Sequence, residues 1–87
     1  MRINYTKNFL KSYKKRIKPN RGLDARFKER FALFTQNPND PILKNHRLQG
    51  SKSHLHSFSI TGDIRVLYQL IEDELYLVDI GTHNQVY

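Results

Sequence analysis

The chain has 87 residues, no cysteine and a formal net charge of +7. This length supports one domain with a single core, and the lack of cysteine excludes disulfides and thiolate zinc sites. No stretch is apolar enough to span a membrane and no signal-peptide pattern is visible, so we expect a cytoplasmic protein with no membrane partner.

The positive charge is concentrated in the first part of the chain. Residues 1–31 hold eleven Lys or Arg and two acidic residues, whereas residues 32–87 hold four and six. Such an asymmetric field favours a polyanionic partner, with nucleic acid as the first choice. The alternative is a solvated helix face that keeps a small protein in solution.

The amino-terminal part predicts a strand followed by a helix. Arg2–Tyr5 can form a short strand, and Thr6 is a suitable N-cap for a helix whose apolar positions recur at helical spacing up to Ile17. Pro19, Asn20 and Gly22 end that helix. Its other side is cationic and is formed by Lys7, Lys11, Lys14, Lys15, Arg16 and Lys18.

A second helix and then three strands are predicted in the rest of the chain. The helix covers Leu23–Gln36 and carries an aromatic stripe that we assign to the core. After a breaker at 37–41, residues 54–60, 64–71 and 74–80 are rich in β-branched and aromatic residues. The turns between these strands are short, and the first leaves two registers open because it can hold two or three residues.

The predicted order is therefore β-α-α-β-β-β, in one α+β domain over residues 1–87. An antiparallel sheet carries a helical hairpin on one face. We expect Gly50 to lie in a turn ahead of the strands, and Gly81 to form a kink that ends the last strand.

Residues with functional chemistry gather in the second half of the chain. They are His46, Asp63, Arg65, His83 and Tyr87. Arg65 lies in the middle predicted strand, where a buried guanidinium requires an anionic partner, whereas Asp63 is equally explained by turn chemistry. His54 and His56 could share a metal, but without further ligands they are better explained as solvent-facing strand residues.

These residue types match the cleavage of RNA without a metal or cofactor. Attack of a 2′-hydroxyl on the adjacent phosphodiester needs a base, an acid for the leaving 5′-oxygen, and a cation against the charge at phosphorus. His46 and His83 suit the proton transfers because the unperturbed pKa of histidine is about 6.5. Arg65 suits the phosphate. Asp63 could orient an imidazole or accept a proton, and Tyr87 could stack on a base or donate a proton.

Three motifs occur in an order and spacing that resemble a known family. They are HRLQGS at 46–51, DIRVLY at 63–68 and GTH at 81–83. They resemble the RelE/YafQ toxins of bacterial type II toxin–antitoxin systems, and the YafQ branch is the most similar. The resemblance covers the domain in outline and is specific from about residue 44 onward.

The resemblance implies a microbial-ribonuclease-like fold and an mRNA interferase that cuts messenger RNA in the ribosomal A site. It also implies a cognate acidic antitoxin that wraps and silences the toxin. By this resemblance, His46 and His83 match catalytic histidines of the family, and Asp63 matches a catalytic acidic position. Arg65 matches a strand arginine that contacts phosphate, and Tyr87 matches a catalytic aromatic residue. We expect mRNA and ribosomal RNA to contact the cations Lys7, Lys11, Lys14, Lys15, Arg16, Lys18, Arg47 and Lys52.

The chain departs from the YafQ branch at two positions. That branch has a further histidine at the position of Ser59 and a tryptophan at that of Ile64. Because serine is a poor proton carrier, one catalytic role is vacant or reassigned. His56 lies three residues away and, in a regular strand, points to the other face. Arg65 could compensate and give a more RelE-like site.

Two other functions remain open at the level of the sequence. A ParE-like toxin of the same fold would inhibit DNA gyrase by binding and cleave nothing, but it would not need the pair of His46 and His83. A basic RNA-binding module without catalysis would depend on the helix lysines and not on His83.

Overall fold

The computed structural model describes residues 1–87, which form one five-stranded sheet and three helices. The strands are β1 (Arg2–Tyr5), β2 (His46–Arg47), β3 (His56–Ser59), β4 (Ile64–Ile71) and β5 (Glu74–Thr82). The helices are α1 (Lys7–Arg16), α2 (Arg21–Gln36) and α3 (His83–Val86). The order across the sheet is β1-β5-β4-β3-β2. None of the helices is long and apolar enough to cross a bilayer.

Side-chain caps begin the two long helices, as the sequence predicts for the first of them. The Thr6 hydroxyl accepts a hydrogen bond from the Phe9 amide at 3.1 Å. The Asn20 side chain does the same for the Leu23 amide at 3.1 Å. This cap starts α2 at Arg21, two residues ahead of the predicted start.

The two long helices cover one face of the sheet and form the main core with it. Phe9 of α1 and Phe27 and Phe34 of α2 pack with strand residues such as Phe58 and Leu77, all of them buried. Tyr13 of α1 stacks edge-on against Phe27 and donates a hydrogen bond to Asp24. The predicted α+β domain with a helical hairpin on one face is therefore confirmed, including the assignment of the aromatic stripe to the core.

Three details of the sheet differ from the prediction. The strand β1 pairs in parallel with β5, whereas the other neighbours are antiparallel. The strand β2 was not predicted, because two residues are too few to show a period. The first turn holds three residues. Ser59 pairs with Arg65, and the Ile60 amide donates to the Ile64 carbonyl at 2.8 Å, which leaves 61–63 as the loop.

A bulge in β5 fixes α1 to the sheet. Leu67 pairs with Asp79 and Tyr68 with Leu77, which leaves Val78 without a partner in β4. The Val78 carbonyl instead accepts a hydrogen bond from the Asn8 side chain at 3.0 Å. The first turn of α1 is thereby held against β5.

Gly50 and Gly81 occupy special positions of different kinds. Gly50 lies in a 3-10 turn with φ of 69°, in agreement with the predicted turn. Gly81 was predicted to kink the last strand, which is wrong, because β5 continues through it to Thr82. Glycine leaves room there for two side-chain ends that a larger residue would displace: an added Cβ would lie 2.6 Å from Gln85 Oε1 and 2.8 Å from Arg16 Nη1.

We expect Gly81→Ala to lower the free energy of unfolding by about 1–2 kcal/mol, since the methyl group would displace two side chains that make hydrogen bonds. Gln85 Oε1 accepts from the Thr82 amide at 2.8 Å, and Arg16 Nη1 donates to the Ile80 carbonyl at 3.0 Å. Urea unfolding measures the change. Gly62→Ala is the matched control, because no atom lies within 4 Å of its added Cβ. Equal stabilities of the two variants would contradict this account.

Candidate active site

The face of the sheet opposite the long helices holds four of the five candidate catalytic residues. Directly paired residues in antiparallel strands share a face of the sheet. One row of paired residues across the strands consists of His46, Ser57 and Leu67. The next row on the same face consists of Ser59, Arg65 and Gly81. The short helix α3 packs onto this face through Val86, in a second cluster with Leu55 and Leu67. The site is therefore formed by the middle of the sheet and by the segment that follows β5.

Tyr87 contacts three other residues of this face, Ser57, His83 and Arg65. Its hydroxyl donates a hydrogen bond to Ser57 Oγ at 2.7 Å. Its ring packs edge-on against the His83 ring with the centroids 4.3 Å apart, because residues four apart share a helix face. The Arg65 guanidinium carbon lies 5.7 Å from the centre of the same ring, within range of a cation–π interaction.

A capping box places His83 at the first position of α3. The Thr82 side chain accepts from the Gln85 amide, and the Gln85 side chain accepts from the Thr82 amide. The His83 side chain is exposed at this position. The Gly-Thr-His segment therefore carries an imidazole out of the last strand and over the open face.

His46 is oriented by its own backbone neighbour. Its Nδ1 lies 2.8 Å from the Lys44 carbonyl oxygen, which can only accept, so Nδ1 carries the hydrogen. In the neutral ring, Nε2 is then an acceptor and can take a proton. His46 and Tyr87 both line a cleft of about 510 Å³ on this face. The arrangement leaves one nitrogen of His46 free to accept a proton beside the cleft.

Arg65 has no anionic partner within the chain. The half-buried side chain makes no hydrogen bond and no ion pair, and its Nε is buried without an acceptor. A guanidinium in such a position is ordinarily paired with a carboxylate or another acceptor. The positive charge of Arg65 is thus left for a group from outside the protein.

Asp63 shares no hydrogen bond or ion pair with the other four residues. It lies in the loop between β3 and β4, exposed, with its amide donating to Thr61 Oγ1 at 3.2 Å. Its carboxylate makes no hydrogen bond and no ion pair. The structure thus gives Asp63 the position of an ordinary turn residue at the end of the hairpin.

The position that carries a histidine in the YafQ branch is buried here. Ser59 is 7% exposed and pairs with Arg65 across the strands. His56 does point to the opposite face, as its spacing predicts, because it pairs with Tyr68 of the main core side. No imidazole therefore replaces the missing one, and Arg65 is the charged residue nearest in register to Ser59.

The cations predicted to bind RNA divide into two groups. One group is exposed along α1 or just after its end, and consists of Lys7, Lys11, Lys14, Lys15 and Lys18. The other three cations donate hydrogen bonds within the chain. Arg16 donates to the Ile80 carbonyl at 3.0 Å, and Arg47 donates to the Ser53 carbonyl at 2.7 Å. Lys52 donates to the main-chain oxygens of Val86 and Tyr87, at 2.9 and 3.0 Å. Arg16 thereby ties α1 to β5, and Lys52 holds the end of α3.

Several residues that shape the site were missed in the sequence. Ser57, which holds the Tyr87 hydroxyl, gives no signal because serine is common in strands. The capping box of Thr82 and Gln85 does give one, since Thr-x-x-Gln is a recognised start of a helix. No group of three or more His, Cys, Asp or Glu residues is arranged to hold a metal ion.

The fold matches that of toxins of the RelE/YafQ type. Among solved structures, a copper-bound mutant toxin from Helicobacter pylori is 27% identical with a TM-score of 0.85, covering 100% of this chain and 99% of that chain. YafQ from E. coli strain BL21(DE3) is 25% identical with a TM-score of 0.82, and the match again covers 100% of this chain and 99% of that chain. A chain of an E. coli DinJ–YafQ toxin–antitoxin complex is 24% identical, with a TM-score of 0.80, and the match covers 98% of this chain and 94% of that chain.

The chain belongs to the YafQ family of bacterial toxins of type II toxin–antitoxin systems, whose family model matches residues 1–87. A search of curated proteins gave no match. The resemblance read from the three motifs is therefore confirmed at the level of the family.

Proposed function

We propose that this toxin is a ribosome-dependent endoribonuclease that inhibits translation by cutting messenger RNA. The observation that carries the proposal is the unpaired guanidinium of Arg65 on the open face. A half-buried cation that has no acceptor in its own chain is set to bind an anion, and a phosphodiester is the anion that the basic surface of α1 would attract.

The arrangement supplies the groups that cleavage by 2′-hydroxyl attack requires. His46, with Nε2 as the acceptor, takes the proton of the hydroxyl. The cation that stabilises the charge at phosphorus is Arg65. His83 donates a proton to the leaving 5′-oxygen, and the Tyr87 ring packs beside it and offers a face for a base. Asp63 has no assigned step, because nothing orients it toward the others.

Replacement of His83 by alanine should relieve growth arrest and lower mRNA cleavage by about 100- to 10,000-fold, the usual contribution of a general acid. The fold should persist, since the side chain is exposed and the capping box does not use it. His54→Ala is the matched control because His54 is also exposed but lies outside the site. Circular dichroism checks the fold. A folded His83→Ala protein that cleaves like the wild type would remove His83 from the mechanism.

We further propose that an acidic antitoxin neutralises the toxin. E. coli YafQ is bound by DinJ in a toxin–antitoxin complex. In this chain, five exposed lysines lie along α1 and its end, at Lys7, Lys11, Lys14, Lys15 and Lys18. A disordered acidic segment that folds on contact could neutralise this charge and cover the cleft.

Purification of the toxin from its native operon should therefore yield a second, acidic polypeptide, and the complex should weaken as salt is raised. Lys11→Glu combined with Lys14→Glu should lower the affinity for that polypeptide, whereas the same change at Lys28, which is paired with Asp24, should have a smaller effect. Isolation of the toxin alone would contradict the proposal.

A further inference from the structure

A small cavity with a basic wall is formed by α2, the turn ahead of β2 and the loop between β3 and β4. It measures about 210 Å³, which is less than a pocket for a drug-sized ligand and suits a small anionic group. No Asp or Glu lines it, and it shares no lining residue with the cleft beside His46. Its cationic and hydroxyl side chains are those of Arg26, Arg30, Lys44, Ser59 and Thr61.

The three cations of this wall have no strong partner within the chain. Arg26 and Lys44 are exposed, and neither side chain forms an ion pair or a hydrogen bond. Arg30 is more sheltered, with 13% of its side chain exposed, and pairs at 3.5 Å with Glu29, which is 69% exposed. Such an exposed pair contributes little. Arg26 and Arg30 lie four residues apart on one face of α2, where like charges repel. A bound anion would relieve that repulsion.

Thr61 and Lys44 have features that suit the binding of an anion. Thr61 Oγ1 accepts hydrogen bonds from the amides of Asp63 and Ile64, at 3.2 and 3.0 Å, so its own hydrogen is left to donate. Lys44 has a left-handed backbone with φ of 49°, a conformation that favours glycine or asparagine. Residues with this kind of strain concentrate at functional sites. Lys44 thus brings a cation to the cavity from an unfavourable backbone conformation.

Two contacts connect the cavity wall to the candidate active site. The Lys44 carbonyl oxygen is the group that holds His46 Nδ1, at 2.8 Å. Ser59 pairs directly with Arg65 across the strands β3 and β4. An RNA that reaches His46 and Arg65 therefore passes close to residues of this wall.

We propose that this cavity binds a phosphate group of the RNA backbone, in addition to the phosphate at Arg65. The inference rests on the proposed function, which requires RNA. Arg26, Arg30 and Lys44 bind the phosphate oxygens, and the Thr61 hydroxyl donates one more hydrogen bond. These donors come from a helix, a turn and a loop, so they suit the tetrahedral oxygens of phosphate better than the two coplanar oxygens of a carboxylate. Contacts of this kind position the RNA and do not read its sequence.

An NMR titration of the full chain tests the site without reference to cleavage. The probe is a single-stranded RNA with 2′-O-methyl groups, which cannot be cut by 2′-hydroxyl attack. It should shift the amide signals of Thr61 and Gly62 and the Nε signals of Arg26 and Arg30, and inorganic phosphate should shift the same signals at higher concentration. Signals that stay fixed with the RNA, including a response to free phosphate alone, would overturn the proposal. Larger shifts with a poly-glutamate peptide of equal charge would assign the cavity to an acidic protein and also overturn it.

Arg26→Gln combined with Lys44→Asn should weaken RNA binding about tenfold, the lower range for loss of a hydrogen bond to a charged group. The salt dependence of log K should fall by about 0.7, the value for one phosphate of a single strand. Both residues are exposed and asparagine tolerates the left-handed backbone, so the fold should persist. Arg21→Gln combined with Lys28→Gln removes two exposed charges of α2 outside the cavity and should have a smaller effect. Equal weakening by the two pairs would refute the site.

Cleavage in a translation reaction provides the second readout. The cavity binds RNA away from the reacting bond, so Arg26→Gln with Lys44→Asn should raise KM about tenfold, the same factor as in the binding assay, and leave kcat unchanged. Arg65→Ala should instead lower kcat. A fall in kcat with an unchanged KM in the paired variant would contradict a role in binding. If the wild type cleaves no RNA, the proposed function fails, and the titration alone decides whether the cavity binds phosphate.

Discussion

Replacement of Arg65 by alanine is expected to reduce mRNA cleavage by about 100- to 1,000-fold, because a fixed cation acts on charge that develops in the transition state. The guanidinium is half-buried, lies 5.7 Å from the Tyr87 ring and has no carboxylate to neutralise it. Its loss removes the one cation on the open face that is left unpaired beside Tyr87. The measurement is the rate of cleavage of a single mRNA in a translation reaction.

Lys11→Ala is the comparison, since Lys11 is exposed on α1 and is one of several cations in a diffuse field. It should weaken RNA binding modestly and reduce the salt dependence by about one counterion. Arg65→Lys separates charge from shape: an ammonium keeps the charge and loses the planar fork, so we expect partial activity. Equal losses from Arg65→Ala and Lys11→Ala would show that Arg65 has no special position in the reaction.

The Arg65→Ala change should lower the cleavage activity without lowering the free energy of unfolding. The Arg65 side chain is half-buried and its Nε is buried without an acceptor, which costs free energy of folding. Its removal is therefore expected to leave the protein as stable as the wild type or more stable. Urea unfolding of Arg65→Ala tests this directly. A large loss of stability would mean that Arg65 supports the fold and would give a structural reason for any loss of activity.

The sequence predicted those parts of the fold that have strong local signals. The Thr6 cap and the regularly spaced aromatic residues of α2 each follow from a few neighbouring residues, and both are found as predicted. The strand β2 and the helix α3 have only two and four residues, so no period develops in them. The bulge at Val78 depends on pairing with β4, which a single strand does not show.

The candidate site residues were chosen from the sequence and stay a prediction, with Asp63 among them although it lies in the loop between β3 and β4. The contacts that support the site could not be predicted. His46, Arg65, His83 and Tyr87 were identified by chemistry and by resemblance, and the structure places them on one face. Arg16 was assigned to RNA by its charge alone, and so was Lys52. Their partners, 64 and 34 residues away, appear only when the chain is folded. A cation in a sequence shows its charge but not which carbonyl oxygens it will meet.

The comparison of free and ribosome-bound mRNA should give the largest effect. We expect cleavage of free message to be slower by a factor of about 10⁵ or more, since holding a phosphodiester in line for attack can contribute about 7–11 kcal/mol. The site alone should have weak acid–base catalysis, because it has two histidines and buried Ser59 stands where the YafQ branch has a third proton carrier. Its cleft measures about 510 Å³. A chain of 87 residues is too small to add a long groove for single-stranded RNA to that cleft, so the ribosome would have to position the message.

The exposed lysines of α1 would then bind ribosomal RNA and not read sequence. The test incubates the purified toxin with one mRNA, with and without translating ribosomes, and identifies the termini of the products. Attack by a 2′-hydroxyl leaves a 2′,3′-cyclic or a 3′-phosphate. Equal cleavage of free and ribosome-bound message would overturn the requirement for the ribosome. Inhibition of DNA gyrase without RNA cleavage would assign the chain to a ParE-like activity, and the unpaired charge of Arg65 would then need a different anionic partner.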